Sequence, residues 1–180
     1  MKFNLLFVLV HFFSCSQSYV KSYTDLESAF TDWYFKFHPV KSTQYGLDAY
    51  NSSFQRLNNN SRDEYMADIQ RFLIELSQID ETKLPPIQNV NYNVLTKFLA
   101  LQVFLLQSER KYEWDVSLYP KMIYDGIVGL VDLDYLSMNA RTDALQGRLE
   151  QSITVLDDAY ENLKFYSEFH QHEALKIMDA

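Results

Sequence analysis

Few side chains in this sequence could act on a substrate or hold a metal, and the most suggestive are gathered near its end. His172-Glu173-Ala174-Leu175-Lys176 matches the zinc-peptidase pattern His-Glu-x-x-His except at the last position, where Lys176 stands in place of the second histidine. In that pattern two imidazoles one helical turn apart share Zn²⁺ while the glutamate activates water. His170 and His172 cannot replace such a pair, because residues two apart on a helix point to nearly opposite sides. Glu168, His172 and Lys176 fall at successive fourth positions. The plainer account of that column is an ion-pair row on a helix surface, worth roughly a few tenths of a kcal/mol per pair. A metal would need a third ligand such as His38, and nothing in the sequence brings it near. No catalytic residue and no metal ligand is therefore expected in this chain.

Other constellations are equally thin. No serine sits in a Gly-x-Ser-x-Gly elbow and no glycine-rich loop could cradle a phosphate. Asp157-Asp158 and the pair Asp132/Asp134 could do acid–base work in principle, yet a solvated helix face is the commoner explanation. Trp33, Trp114 and Tyr119 are candidates for aromatics lining a cleft or facing a partner, with core packing as the plainer reading. A net charge of -8 without a basic run argues against nucleic acid.

The elements that would position these groups read as helices throughout. The 180 residues contain 4 glycines and 4 prolines, and 47% are hydrophobic. That is too little turn chemistry for a sandwich or barrel, so the expected class is all-α, a multi-helix bundle or array. Residues 1–15 resemble an export signal: Lys2, the apolar run Leu5 to Val10, then Ser14 and Cys15. Cys15 is the sole cysteine and stands where a bacterial lipoprotein carries its lipid, the alternative being an ordinary secretory signal with an incidental thiol. Residues 22–180 read as one helical domain. Asn51-Ser52-Ser53 and Asn59-Asn60-Ser61 are formal glycosylation sequons.

Within that domain, Leu26, Phe30, Trp33, Tyr34 and Phe37 form a stripe on one helix. The polar stretch from His38 to Asn60 reads as an extended surface loop, and Ser61-Arg62-Asp63-Glu64 as a capping box opening the next helix. Pro85-Pro86 is expected to stop that helix, and residues 88–113 to form a central, buried one. A further helix from Asp134 or Ser137 is expected to run through Tyr160, broken near Gly147 and then continuing into the last segment.

These landmarks in order resemble the N-terminal part of a bacterial family known as domain of unknown function 885. The first block is Phe30, Trp33, Tyr34, Pro39, Thr43, Gly46 and Tyr50, with Asn51 where an aspartate is usual. Ile79-Asp80 and Leu84 follow, then Asn91-Tyr92-Asn93-Val94-Leu95, Phe104 to Glu109, Trp114-Asp115 and Tyr119, with Val116 at a common proline position. The last block is Arg141, Arg148-Leu149, Leu156, Ala159, Asn162-Leu163, His170, Glu173 and Ala174. The resemblance implies the N-terminal helical half of a gluzincin-type zinc peptidase. The family's zinc motif, His-Glu-x-x-Pro-Gly-His, lies downstream of everything matched here, so zinc is implied for the longer proteins and no cofactor for this chain.

The expectation that follows is an exported, lipid-anchored helical protein of the cell envelope, periplasm-facing or at the surface. It would be a noncatalytic, truncated portion of a metallopeptidase-like protein, attached to the membrane through its lipid. Its partner would be a separately encoded catalytic half or a peptide. Two alternatives stand beside it: a self-sufficient surface module binding a peptide or protein, and one half of a split peptidase. A fragment should leave a large apolar patch uncovered.

Overall fold

The computed structural model describes residues 22–131, 133–165 and 167–179. Among these, all regular structure is helical: α1 (22–37), α2 (Pro39–Gln44), α3 (Asn59–Ser77), α4 (Pro86–Phe104), α5 (Leu118–Val131), α6 (Met138–Asn162) and α7 (Glu168–Met178). The all-α expectation is met. The leader and Cys15 lie outside the described residues.

Two apolar clusters organise the chain. In the first, the α1 stripe meets Tyr65, Ile69, Phe72 and Leu76 of α3 and Leu95 and Leu99 of α4. Trp33 stacks on Tyr65 with ring centroids 4.9 Å apart and meets Phe72 edge-on at 5.3 Å, while its indole N–H donates to Asp68 at 2.9 Å. A buried indole is stable only with its N–H satisfied, and Asp68 on α3 does this. The second cluster joins Phe54 of the connecting loop to Tyr119 of α5 and Val155 and Ala159 of α6. α5 packs along both α6 and α7.

Several helix boundaries differ from the sequence reading. α3 begins at Asn59 because Asn58, three residues before the cap that the sequence suggests, caps it by accepting from the Ser61 N–H at 2.9 Å; Ser61 is inside the helix. α3 ends at Ser77, well before the prolines, and Pro86 instead opens α4, where its missing N–H costs nothing. α4 is not a helix buried on all sides: only Leu95 and Leu99 are fully buried, and a line of its apolar side chains faces outward. It runs into a π-helical turn, Leu105–Glu109, that ends at Arg110 in the left-handed region with φ 50°.

α6 is unbroken through Gly147, and the final segment is a separate helix. Glu113 separates them. Its backbone carbonyl accepts from the N–H groups of Lys164 (2.8 Å) and Phe165 (3.2 Å), and its carboxylate binds Lys164 at 2.6 Å and also Arg110. Burial alone would raise this carboxyl, but the two cations outweigh it and hold its pKa below the usual value. The N–H groups after Leu163 thus bond to a distant residue instead of continuing the helix ladder.

Candidate functional site

The stretch between α2 and α3 is only partly a surface loop: Tyr45 to Ala49 are exposed, but Asn51 and Phe54 are buried and the backbone from Ser53 to Leu57 is held by α6. One face of α6 carries Arg148, Gln151, Asp158 and Asn162 at helical spacing, and each binds this stretch. Arg148 is fully buried, and its guanidinium donates to Thr43 Oγ1 at 2.6 Å, Ser53 O at 3.3 Å, Pro39 O at 3.4 Å and Gly126 O. None of these acceptors is a carboxylate, so burial pulls the Arg148 pKa down to about 10. Gln151 accepts from the Phe54 N–H at 3.0 Å. Asp158, also buried, accepts from Leu57 N–H at 2.7 Å and from both arms of Arg56 at 2.7 and 3.0 Å. Asn162 donates to Leu57 O at 2.8 Å. A buried irregular backbone must find partners for its polar groups, and α6 presents them in a column.

Two glycines let the loop lie so close. A Cβ on Gly126 would stand 2.3 Å from the Phe54 ring, and one on Gly147 would stand 2.7 Å from Ser52 Cβ and 3.1 Å from its carbonyl oxygen. Gly147 marks a backbone crossing, and that is why a glycine occurs inside an intact helix. Asn51 is buried here and accepts from Thr43 Oγ1 at 2.7 Å. The folded chain therefore offers no room for a glycan at that sequon, whereas Asn59 is exposed.

Where the two clusters meet, a cavity of about 260 Å³ opens between Phe37, the loop, α3 and the π-helical turn. One part of its polar wall is a chain of neutral groups. His38 Nδ1 lies 3.2 Å from Gln55 Oε1 and Nε2 lies 3.1 Å from the Tyr65 hydroxyl, which is 3.3 Å from the Gln102 amide. Gln55 Oε1 can only accept, so Nδ1 carries the proton and Tyr65 donates to Nε2. The phenol has one proton, and Gln102 Oε1 at 3.3 Å is the other acceptor within its reach. Burial pushes the His38 pKa down to about 4, the Gln55 bond opposing and the Lys41 charge adding to the fall, so the ring is neutral at pH 7. Burial likewise raises Tyr65. Leu57, Leu106 and Leu118 supply apolar walls. Arg56, Arg62, Glu109 and Lys111 complete the lining with charged side chains. It holds no activated nucleophile.

The sequence candidates are scattered. Trp33 and Tyr119 are buried: Trp33 sits in the first cluster, and the Tyr119 hydroxyl donates to Tyr112 O at 2.7 Å and accepts from Asn162 at 3.2 Å. Burial raises the Tyr119 pKa to about 12. Trp114 is half-buried, donating to Glu109 O at 2.8 Å and lying 5.0 Å from the His170 ring. His170 Nδ1 is 3.3 Å from Asp115. His172 is exposed, and Lys176 pairs with Glu173 at 2.9 Å, so the row drawn through Glu168, His172 and Lys176 is replaced by an i,i+3 bond. Asp158 is a buried loop anchor rather than part of a solvated face, while Asp157 is exposed. Among the described residues, no three His, Cys, Asp or Glu side chains come together in a group that could hold a metal ion, so the residues present do not fit zinc.

The anchoring roles of Arg148, Gln151 and Asn162 and the bonds of His38 to Gln55 and Tyr65 were not read from the sequence. The signals available for them were the fixed spacing of polar residues 148, 151, 158 and 162 and the glycines inside helices.

No protein-family model matches the chain, and no curated protein matches it. Among solved structures it is similar to a protein from Shewanella oneidensis described as "a putative lipoprotein of unknown function", with a TM-score of 0.79 and 16% sequence identity. The match covers 86% of this chain and 28% of that one. At this identity the likeness establishes a shared helical fold. The chain spans well under a third of the larger protein's length.

Proposed function

We propose that this chain is a noncatalytic helical portion of a larger envelope protein of the family-885 kind, exported and anchored by lipid on Cys15. The observation that carries this reading is the outward display of large apolar side chains on the long helices. On α6 these are Leu149, Ile153, Leu156 and Tyr160, the last 90% exposed, and Phe169 and Met178 of α7 add to them. Isolated exposed apolar residues are ordinary, but rows at helical spacing belong to faces that another element covers. The partial match to a larger protein supports the same reading. Zinc chemistry, on the family resemblance, would belong to a segment other than the one described here.

The test is direct. The chain should show cooperative unfolding of its helices while binding the dye ANS, without retaining stoichiometric zinc after dialysis and without hydrolysing peptides. Bound zinc together with hydrolysis lost in His172→Ala would overturn the noncatalytic reading. A monomer silent to ANS would overturn the covered-face reading. For the anchor, incorporation of labelled palmitate in a bacterial host should vanish in Cys15→Ala.

A second reading, a self-sufficient binding module, is favoured by one observation, the cavity beside His38 with its apolar walls and its mixed neutral and charged polar groups. Saturable binding of a small peptide that is lost in Gln102→Leu, by a chain that stays monomeric and ANS-silent, would select it.

A further inference from the structure

α4 is about 28 Å long at 1.5 Å per residue, and along its outer side six positions recur at alternating steps of three and four: Ile87, Val90, Val94, Lys97, Leu101 and Phe104. All face solvent, the apolar ones with exposures of 69%, 57%, 62%, 50% and 55%. This spacing is the seam by which one helix packs on another at about 20°, each side chain entering a hole formed by four of its partner's. Beside the seam, between α1 and α4, runs a groove of about 400 Å³ floored by Phe30, Tyr34 and Phe98, with Val94 on its wall. The shape is that of a helix-receiving groove.

We propose that the α4 seam docks an amphipathic helix from a further part of a larger helical protein, carrying apolar residues at 3-4 spacing and a carboxylate facing Lys97. The inference rests on the reading of the chain as one portion of such a protein, and it specifies what covers this face. Three observations choose the occupant. Lys97 is the sole charged residue of α4 and has no ion-pair partner among the described residues, so a carboxylate opposite it completes the seam. A second copy paired through its own α4 about a two-fold axis would bring two Lys97 side chains together at the middle of the seam, a repulsive arrangement. A membrane surface would call for a Lys- and Arg-rich flank, which α4 lacks. The similar protein of known structure has most of its chain outside the matched region, room enough for the docking helix.

The probe is a labelled three-heptad peptide with leucines at 3-4 spacing and glutamate where it would face Lys97, compared with the same peptide bearing lysine there. By fluorescence anisotropy the glutamate peptide should bind the full chain about fivefold more tightly than the lysine peptide. Lys97→Glu should reverse that order, and the double variant Val94→Glu, Leu101→Glu should weaken both by at least about tenfold. The seam side chains are exposed, so these variants keep the fold, as unchanged circular dichroism would verify. Equal binding of the two peptides, or binding indifferent to the double variant, would overturn the proposal. A concentration-dependent dimer dissolved by Val94→Glu would overturn it in favour of a second copy, and vesicle binding lost in the same variant in favour of lipid. If the charge rule holds while the chain hydrolyses peptides, the noncatalytic reading fails and the seam stands. If the chain is inert and binds ANS but the charge rule fails, the reverse follows.

Discussion

Replacing His38 with glutamine should remove most of the chain's specific loss of stability between pH 6.5 and pH 4. In the folded protein the imidazole is held neutral by burial, with a pKa lowered from 6.5 to about 4. Between those values the unfolded chain takes up a proton that the native state refuses, so native stability falls as pH falls. The stability linked to the neutral ring is fully present above pH 6.5 and is lost as pH approaches the folded pKa. The difference of two and a half pKa values corresponds to about 3 kcal/mol at 1.36 kcal/mol each. At pH 7 the substitution forfeits the bonds to Gln55 and Tyr65, a cost of about 1–2 kcal/mol. The carboxylates titrate in both proteins and cancel in the difference, so wild type and variant should cross between about pH 5 and pH 6, the variant being the more stable below the crossing. Urea unfolding followed by circular dichroism at intervals from pH 7.5 to pH 4 measures the difference curve. A flat difference, or a His38 ring resonance that titrates near 6.5 by NMR, would refute the argument.

The close approach of the loop makes the helix glycines unequal. Gly129 has nothing within 4 Å of an added Cβ, so Gly129→Ala should be neutral or stabilise by up to about 1 kcal/mol through helix propensity. Gly147→Ala would press on Ser52 and its backbone and should destabilise by about 1–3 kcal/mol, with Gly126→Ala similar unless the Phe54 ring moves aside. Thermal melts of the three variants decide, and equal effects would contradict the crossing. Asp158→Ala leaves the Leu57 N–H and Arg56 without their acceptor. With Arg56 partly solvated, a loss of about 2–3 kcal/mol is expected, while Asp157→Ala next to it should change stability by less than about 0.5 kcal/mol. Arg148→Lys keeps the charge but cannot reproduce four donor contacts, and should cost about 2–4 kcal/mol in urea unfolding.

The helices were legible because helical periodicity survives in one dimension. The α1 stripe from Leu26 to Phe37 and the seam-bearing run from Val90 to Phe104 are visible without coordinates. Boundaries were less so. The start of α3 turned on whether Asn58 or Ser61 caps it, and both are good N-cap residues. The separation of α6 from α7 depended on Glu113, fifty residues away, binding the peptide groups at Lys164 and Phe165. The candidate aromatics illustrate a further limit. Trp33, Trp114 and Tyr119 are alike in composition terms, yet packing buries two of them and leaves the third half-buried.

By itself the sequence determined an all-helical fold class, the excess of apolar residues on its long helices and the departure of His172 to Lys176 from the His-Glu-x-x-His pattern. These follow from residue type and spacing, which act over a turn or two of helix. Only the tertiary structure decided that the later part of the polar stretch before α3, Asn51 to Leu57, is held against α6. That outcome needs Arg148, Asp158 and Asn162 to meet backbone groups about a hundred residues earlier. It also decided which face of α4 the core leaves outside. A helix apolar on several sides does not say in its sequence which side its neighbours reach, because that depends on how many helices are present to surround it.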